Sequence, residues 1–170
     1  MDKATERILE GLHKAIEAEA AGYHFYMMAA RNTDDEQGRE IFEKLADEEV
    51  DHLKFLKAHH KSFLANGTPD ENAVLGKPLE LSGTNPIFSS RLRERVKESH
   101  YEMSALSIGV ELELNAVTFY KGEANAVGDP VVKEFYEHLA EWETGHYNAL
   151  MKAKDELKED YWSDGGFSPF

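Results

Sequence analysis

The chain has 170 residues, an ordinary length for one domain, and it contains no cysteine, which excludes disulfides, thiolate metal sites and a rubredoxin-type iron centre. Its 33 acidic residues against 19 lysines and arginines give a net charge of −14, which disfavours binding to nucleic acid or to anionic lipid. Because no apolar run is long enough to span a membrane and no signal peptide is evident, we expect a cytoplasmic protein.

The first part of the chain predicts two long amphipathic helices. Apolar residues recur in steps of three and four over residues 4–31, and Glu19 is the only charge on that apolar face. Residues 35–64 have the same periodicity, again with charged side chains on the apolar face. The polar turn between them, in which Asp34 or Asp35 can cap the second helix, is short enough to make the two helices antiparallel neighbours.

Residues 65–88 interrupt this pattern. They are rich in glycine and proline and have no helical periodicity. A long crossover between parallel helices of a bundle accounts for such a segment inside one domain. A short basic helix near residues 89–99 is expected to follow, with its charges in solvent.

Two further long helices are predicted, over residues 103–126 and 130–159. Asp129, followed by proline, has the residue types of a helix start. We therefore expect a bundle domain at residues 1–160 and an irregular tail at residues 161–170. The aromatic residues of that tail would pack on the bundle or on a second subunit.

The two helix pairs are related by an internal repeat. A shift of 94 positions, which needs no gap, superimposes the second pair on the first. The shift aligns apolar residues and also the polar residues on the apolar faces: Glu19 with Glu113, Tyr26 with Tyr120, Glu49 with Glu143, and His52 with His146. The repeat therefore indicates duplication of one helix pair together with its polar residues.

The charged residues on the apolar faces predict a di-metal site. Burying carboxylates and imidazoles without compensation is costly, and two divalent cations would neutralise four carboxylates. Oxygen-rich ligands with one imidazole per metal favour iron or manganese over zinc. Carboxylate bundles that bind two iron or manganese ions have this arrangement. The predicted ligands are Glu19, Glu49, His52, Glu113, Glu143 and His146.

A metal-free bundle is the alternative interpretation, because a single Glu-x-x-His pattern is weak evidence for a metal. Glu10 and His13 form such a pattern, but Ser104 and Ser107 occupy the equivalent positions of the repeat. The two matched sets of ligand-type residues on four helices favour the metal site. The other histidines are expected at the surface or at helix ends: His13, His24, His59, His60, His100 and His138.

Tyr26 and Tyr120 each lie seven residues after a predicted ligand glutamate, so they face the core two turns away. Ordinary core packing is one interpretation. The other is a catalytic role, in which each hydroxyl donates a hydrogen bond to a site carboxylate and the ring can donate one electron. Trp142, beside Glu143, is expected to serve in packing.

These motifs resemble the ferritin-like superfamily, most closely the rubrerythrin-like di-iron proteins, and bacterioferritin shares the ligand pattern. The resemblance implies an all-α, ferritin-like antiparallel four-helix bundle with a long crossover between its second and third helices. It also implies two iron ions, with manganese possible, held by the six residues named above. It covers the four long helices but neither the crossover nor the tail.

The chain departs at several points from the families that it resembles. The absence of cysteine means that a separate protein would have to donate electrons. Rubrerythrins tend to carry an additional glutamate one turn after the third-helix ligand, where this chain has Ala116. Bacterioferritin binds haem through a methionine after the second-helix glutamate, where this chain has Val50, so we expect no haem. No fifth helix is evident, which argues against a storage cage.

We therefore expect a di-iron oxidoreductase that reduces peroxide or dioxygen, with a role in oxidative stress. The alternative is a ferroxidase, a protein that oxidises iron and hands it on. A homodimer is expected, because bundles with long crossovers often pair and the tail is aromatic. No nucleic-acid or membrane partner is expected.

Overall fold

A computed structural model describes residues 2–76 and 86–164. In those residues the chain is built from helices and connecting turns, without β-strands. A single 3-10 turn, Val96–Glu98, precedes the third long helix. The α-helices are α1 Lys3–Asn32, α2 Glu36–Asn66, α3 Ser90–Glu94, α4 His100–Ala126 and α5 Pro130–Asp164.

The ends of the long helices carry the signals that their sequence predicts. The Asp35 carboxylate accepts a hydrogen bond from the backbone N–H of Gly38 at 2.8 Å and so caps α2. At the other end of α2, Gly67 adopts a left-handed conformation with φ 72°. The Asp129 carboxylate accepts from the N–H of Val132 at 3.0 Å, at the start of α5. These caps satisfy backbone groups that the helices cannot pair internally.

The four long helices pack as two antiparallel pairs, α1 with α2 and α4 with α5, and α1 also contacts α4. Two apolar clusters fill the two ends of this bundle. One cluster joins the end of α1 and the start of α2 to the start of α4 and the end of α5, around Tyr26, Phe42, Leu106 and Leu150. The other joins the opposite ends, around Leu12, Leu56, Tyr120 and Leu139. The middle of the bundle, between these clusters, is where the charged residues lie.

The end of α2 and the start of α4 lie at opposite ends of the bundle, in different apolar clusters. Of the predicted crossover, residues 67–76 are described and form no helix, and residues 77–85 lie outside the described part. Its end is fixed by Phe88, which is buried against the bundle. A Cβ at Gly38 would lie 2.5 Å from the ring of Phe88, so this contact requires glycine. The expected basic helix is present as α3 and the 3-10 turn.

The prediction that an irregular tail begins at residue 161 is wrong, because Tyr161 and Trp162 lie in α5, which continues to Asp164. The sequence has no glycine or proline before Gly165 that would stop the helix. An ion pair from Arg93 to Asp160 at 2.5 Å also holds the last turns of α5 against α3. The rest of the tail, residues 165–170, lies outside the described part.

The predicted fold class is confirmed: an all-α, ferritin-like four-helix bundle. The predicted helices end within a few residues of the observed ones, apart from the extension of α5. No described helix combines the length and the apolar character that crossing a bilayer demands.

Candidate metal centre

The structure brings the six predicted ligands together. Each of the four long helices contributes one glutamate, and α2 and α5 each add a histidine one turn later. All six residues are at least 97% buried. Ligand atoms of four of these residues lie within 4.8 Å of one another in each of two overlapping groups. The groups are Glu19, Glu49, His52 and Glu143, and Glu49, Glu113, Glu143 and His146.

One half of the site is centred on Nδ1 of His52. This nitrogen lies 3.0 Å from Glu19 Oε2, 2.9 Å from Glu143 Oε1 and 3.6 Å from Glu49 Oε2. An imidazole nitrogen carries at most one hydrogen, so it cannot satisfy three carboxylates. Glu49 Oε2 is buried and has no hydrogen-bond partner among the described residues. These oxygen and nitrogen atoms converge as ligands of a cation do.

The other half of the site is centred on Nδ1 of His146. This nitrogen lies 3.0 Å from Glu143 Oε2 and 3.7 Å from Glu113 Oε1. The opposite nitrogen, Nε2, lies 2.6 Å from Glu48 Oε2. A hydrogen on Nε2 that is donated to Glu48 leaves the lone pair of Nδ1 free to face the site.

The electrostatics of the metal-free site reflect the crowding of buried charges. Burial and the nearby Glu19 raise the pKa of Glu49 well above its usual value. Burial and Glu143 raise the pKa of Glu113 to about 8. Burial favours neutral histidine, but the adjacent carboxylates, Glu143 first among them, hold the pKa of His52 well above its usual value. Folding therefore assembles groups that repel one another and that cations would neutralise.

Glu143 lies between the two histidines, and its pKa shifts in the opposite direction to those of Glu49 and Glu113. Burial raises the pKa of a carboxyl group, but His52 and His146 outweigh burial here and hold the pKa of Glu143 well below its usual value. The carboxylates around His146 likewise hold the pKa of that imidazole well above its usual value, although burial opposes them. Glu143 is thus held in its ionised form in the metal-free site, in contrast to Glu49 and Glu113.

The two predicted tyrosines reach the site across the repeat. The Tyr26 hydroxyl donates a hydrogen bond to Glu113, and the Tyr120 hydroxyl donates one to Glu19. Both rings are fully buried, and burial raises the pKa of both hydroxyls well above the usual value. The predicted hydrogen bonds to site carboxylates are present, so both hydroxyls remain protonated donors; electron donation by these rings stays a prediction.

Two residues of the site were missed in the sequence. Glu48 is buried and contacts His146, but the repeat aligns it with Trp142, so the comparison of the two halves conceals it. Gly22 lies where α1 passes Glu49, and a Cβ there would lie 2.8 Å from Glu49 Oε1. A small residue facing a ligand glutamate is the signal that could have identified Gly22.

The prediction that the remaining histidines lie at the surface or at helix ends is wrong for His59. This side chain is buried, its ring stacks on Phe135 at a centroid distance of 4.7 Å, and its Nδ1 accepts a hydrogen bond from the N–H of Asp70 at 3.2 Å. Its position on the apolar face of α2 explains the burial. The Glu10 and His13 pair is exposed on the outside of α1, away from the metal-ligand groups.

The donor set fits two metal ions. The carboxylates of Glu49 and Glu143 belong to both groups and are placed to bridge, and Glu19 and Glu113 each belong to one end. With one imidazole at each end, the set offers hard oxygen donors and limited nitrogen, which suits iron or manganese.

Comparison with known proteins supports this assignment. No curated protein and no solved structure gives a significant match to the chain. The sequence model of the Rubrerythrin family, a ferritin-like di-iron family, matches residues 10–154. That match includes all six candidate ligands and both tyrosines. The chain therefore belongs to the rubrerythrin family.

Proposed function

We propose that the protein is a non-haem di-iron oxidoreductase that reduces peroxide or dioxygen at the centre of the bundle. The observation that carries this proposal is the convergence of three carboxylates on Nδ1 of His52, with a matching cluster around His146. Such an arrangement is unfavourable without cations and favourable with them. Membership of a di-iron family supports iron as the metal.

The ligand residues have different roles in the proposed site. Glu49 and Glu143 would bridge the two metals, and Glu19 with His52 and Glu113 with His146 would hold the two ends. When bound, two ferrous ions supply the two electrons that convert hydrogen peroxide and two protons into two water molecules.

The surrounding residues hold the ligands and exclude water. The hydroxyls of Tyr26 and Tyr120 fix Glu113 and Glu19 through hydrogen bonds. The apolar clusters at both ends of the bundle keep bulk water from the ligands and so strengthen electrostatic interactions inside the site. Holding ligand carboxylates by buried donors is a general way to orient a metal site.

The partners of the reaction are part of the same proposal. Because the chain has no cysteine for a second iron centre, a separate protein supplies the electrons. A homodimer is proposed as well, and the exposed aromatic rings of Tyr161 and Trp162 on α5 provide apolar surface for it. A cytoplasmic role against oxidative stress remains a prediction.

A ferroxidase is the second candidate function. It is favoured by Ala116, which takes the position of the additional glutamate of rubrerythrins and packs against the apolar cluster around Tyr120. The site therefore has no second carboxylate on α4 one turn after the ligand Glu113. A ferroxidase would use the same ligands to oxidise ferrous iron and release it.

Anaerobic mixing of the ferrous protein with hydrogen peroxide tests the proposal. We expect about two irons per chain by elemental analysis, rapid oxidation by peroxide, and repeated turnover with an added reductant. Oxidation of many irons per chain, without turnover by a reductant, would instead support the ferroxidase. Protein that binds no iron or manganese, and is not stabilised by either, would contradict both functions.

A further inference from the structure

The two histidines of the site differ on the side that faces away from the metals. Nε2 of His146 lies 2.6 Å from Oε2 of Glu48, within hydrogen-bond distance. Nε2 of His52 is equally buried, but no residue in the described part of the chain gives it a hydrogen-bond partner. The repeat that matches the six ligands therefore does not extend to the groups behind them.

The cause of this difference is visible in the repeat. The 94-residue shift that aligns the ligands places Trp142 opposite Glu48. The indole of Trp142 contacts the ring of His52 in a T-shaped arrangement, with centroids 4.8 Å apart and planes at 88°. An indole nitrogen is a donor only, so Trp142 cannot accept a hydrogen from His52 as Glu48 can from His146.

A carboxylate behind a ligand histidine strengthens the metal bond. It accepts the hydrogen of the outer nitrogen, fixes the tautomer and the orientation of the ring, and makes the inner nitrogen more basic. Removal of such a partner typically lowers metal affinity by about 10- to 100-fold. Glu48 gives His146 this support, whereas the ring of His52 is held by packing.

We propose that Glu48 makes the two metal positions unequal, so that a divalent metal binds first and more tightly at the His146 end and second at the His52 end. Glu48 is a positioning residue, because it acts through His146. The inference rests on the proposed di-metal function and adds the order in which the site fills.

This inequality has a functional consequence. At metal concentrations between the two dissociation constants the chain holds one ion, at the end formed by Glu113 and His146. A single ferrous ion that becomes ferric supplies one electron, and reduction of peroxide to water needs two. Two-electron activity would then depend on occupancy of the weaker position, and would rise with the metal supply after the first ion has bound.

Titration with Co²⁺ tests the order of filling without redox chemistry. Protein stripped with a chelator is titrated and followed by calorimetry and by visible absorption. We expect two steps of one ion per chain, with dissociation constants that differ by about 10- to 100-fold. His52→Ala should remove the weaker step, and His146→Ala should remove the tighter one.

Variants of Glu48 test its role. Glu48→Met keeps the length of the side chain but removes the carboxylate, and should weaken the tighter step by about 10- to 100-fold while the weaker step changes little. Glu48→Gln keeps a neutral acceptor and should give an intermediate affinity. Glu43→Met, at an exposed position of the same helix, is the matched control and should change neither step. Circular dichroism establishes that each variant is folded.

The outcomes separate this inference from the proposed function. The inference would be overturned by two binding steps of equal affinity, by a tight step that keeps its affinity in both Glu48 variants, or by loss of the tight step in His52→Ala. Each of these results would leave the di-metal function standing. Unequal steps in a protein that reduces neither peroxide nor dioxygen would refute the function but not the order. Absence of metal binding would refute both.

Discussion

Tyr120 on α4 donates a hydrogen bond to Glu19 on α1, so a tyrosine from one half of the repeat holds a carboxylate from the other half. The same contact occurs in the opposite direction between Tyr26 and Glu113. These crossed bonds join the two helix pairs at the site. The pairs also meet at the site through the contacts of His52 with Glu143 and of His146 with Glu48, and through apolar packing at both ends of the bundle. The tyrosines thus link the bundle core to the geometry of the ligands.

Replacing either tyrosine with phenylalanine should weaken metal binding. Tyr120→Phe removes the hydroxyl that donates to Glu19, and Tyr26→Phe removes the one that donates to Glu113. The carboxylate that loses its donor is then less well oriented. We expect metal affinity to fall by about 10-fold in each variant, measured by calorimetric titration with Co²⁺.

Tyr101→Phe is the control for these variants, because the Tyr101 hydroxyl donates at the surface, to the carbonyl of Met28 at 3.3 Å. It should leave metal affinity unchanged. Unchanged affinity in both site variants would show that the hydroxyls do not orient the ligands. If affinity falls but the first turnover with peroxide at saturating iron keeps its rate, positioning is their role and electron donation is excluded.

The repeat and the helical period carry most of the information that the sequence provides. Four long helices were predictable because apolar residues keep a period near 3.6, and the six ligands were predictable because Glu49, His52 and their counterparts interrupt that period in matching places. Charged residues on an apolar face are informative because their burial is costly. The repeat then excluded Glu10 and His13, which are indeed exposed.

The features that the sequence analysis misses have different causes. Glu48 was hidden because its carboxylate reaches across from α2 to a histidine on α5, a distance of 98 residues along the chain. The aromatic residues Tyr161 and Trp162 have no helix-stopping chemistry, so the sequence allows α5 to continue beyond the predicted end. His59 lies on the apolar face of α2, so the helical period indicates its burial, contrary to the prediction of a surface position.

Gly22→Ala should disturb the site while the fold is retained. The added Cβ would lie 2.8 Å from Oε1 and 3.0 Å from Cδ of Glu49, so the carboxylate must move. The end of a glutamate side chain can move, and alanine favours the helix, so the metal-free variant should fold. Because Glu49 is placed to bridge both metals, we expect metal affinity to fall by at least about 10-fold.

Gly122→Ala is the matched control, because a Cβ at Gly122 on α4 meets no atom within 4 Å. It should stabilise the protein by up to about 1 kcal/mol and leave metal affinity unchanged. Thermal unfolding followed by circular dichroism, with and without Co²⁺, measures both effects. Equal metal-dependent stabilisation of the two alanine variants would contradict the contact between Gly22 and Glu49.

Glu113→Gln should have opposite effects on the metal-free and metal-loaded protein. Burial and the nearby Glu143 raise the pKa of Glu113 to about 8, so folding without metal must protonate a group that is ionised in the unfolded chain. The substitution removes this cost, and the amide oxygen can still accept from Tyr26. We expect the metal-free variant to unfold at a temperature several degrees higher than the wild type. A gain of about 1 kcal/mol raises the unfolding temperature of a chain of this size by roughly 2–4 °C.

With metal present the order of stability should reverse, so that the wild type is more stable than Glu113→Gln. Metal at 100 times its dissociation constant stabilises the wild type by about 2.7 kcal/mol, and Glu113→Gln should lose most of this gain because a ligand is missing. Glu111→Gln, at an exposed position of the same helix, should change neither measurement. A metal-free Glu113→Gln that is less stable than the wild type would show that repulsion among the carboxylates is unimportant.

His59 should make the stability of the metal-free protein depend on pH. Burial lowers the pKa of His59 below its ordinary value of 6.5, although the nearby Asp70 opposes this shift. The folded state therefore favours neutral imidazole. The stability that this neutral group contributes is present above the ordinary pKa and is lost as the pH falls through the folded-state pKa. The rings of Phe55 and Phe135 on either side offer no hydrogen-bond acceptor to a charged imidazole.

Replacement by asparagine isolates this contribution. His59→Asn keeps an acceptor for the N–H of Asp70 but cannot be protonated. The wild type should therefore lose stability relative to the variant as the pH falls from 7.5 to 5. Urea unfolding of chelator-treated protein at several pH values measures the difference. The exposed His138→Asn serves as control, and its difference from the wild type should not follow this trend. A His59→Asn difference that stays constant over the same pH range would show that His59 is not held neutral by its surroundings.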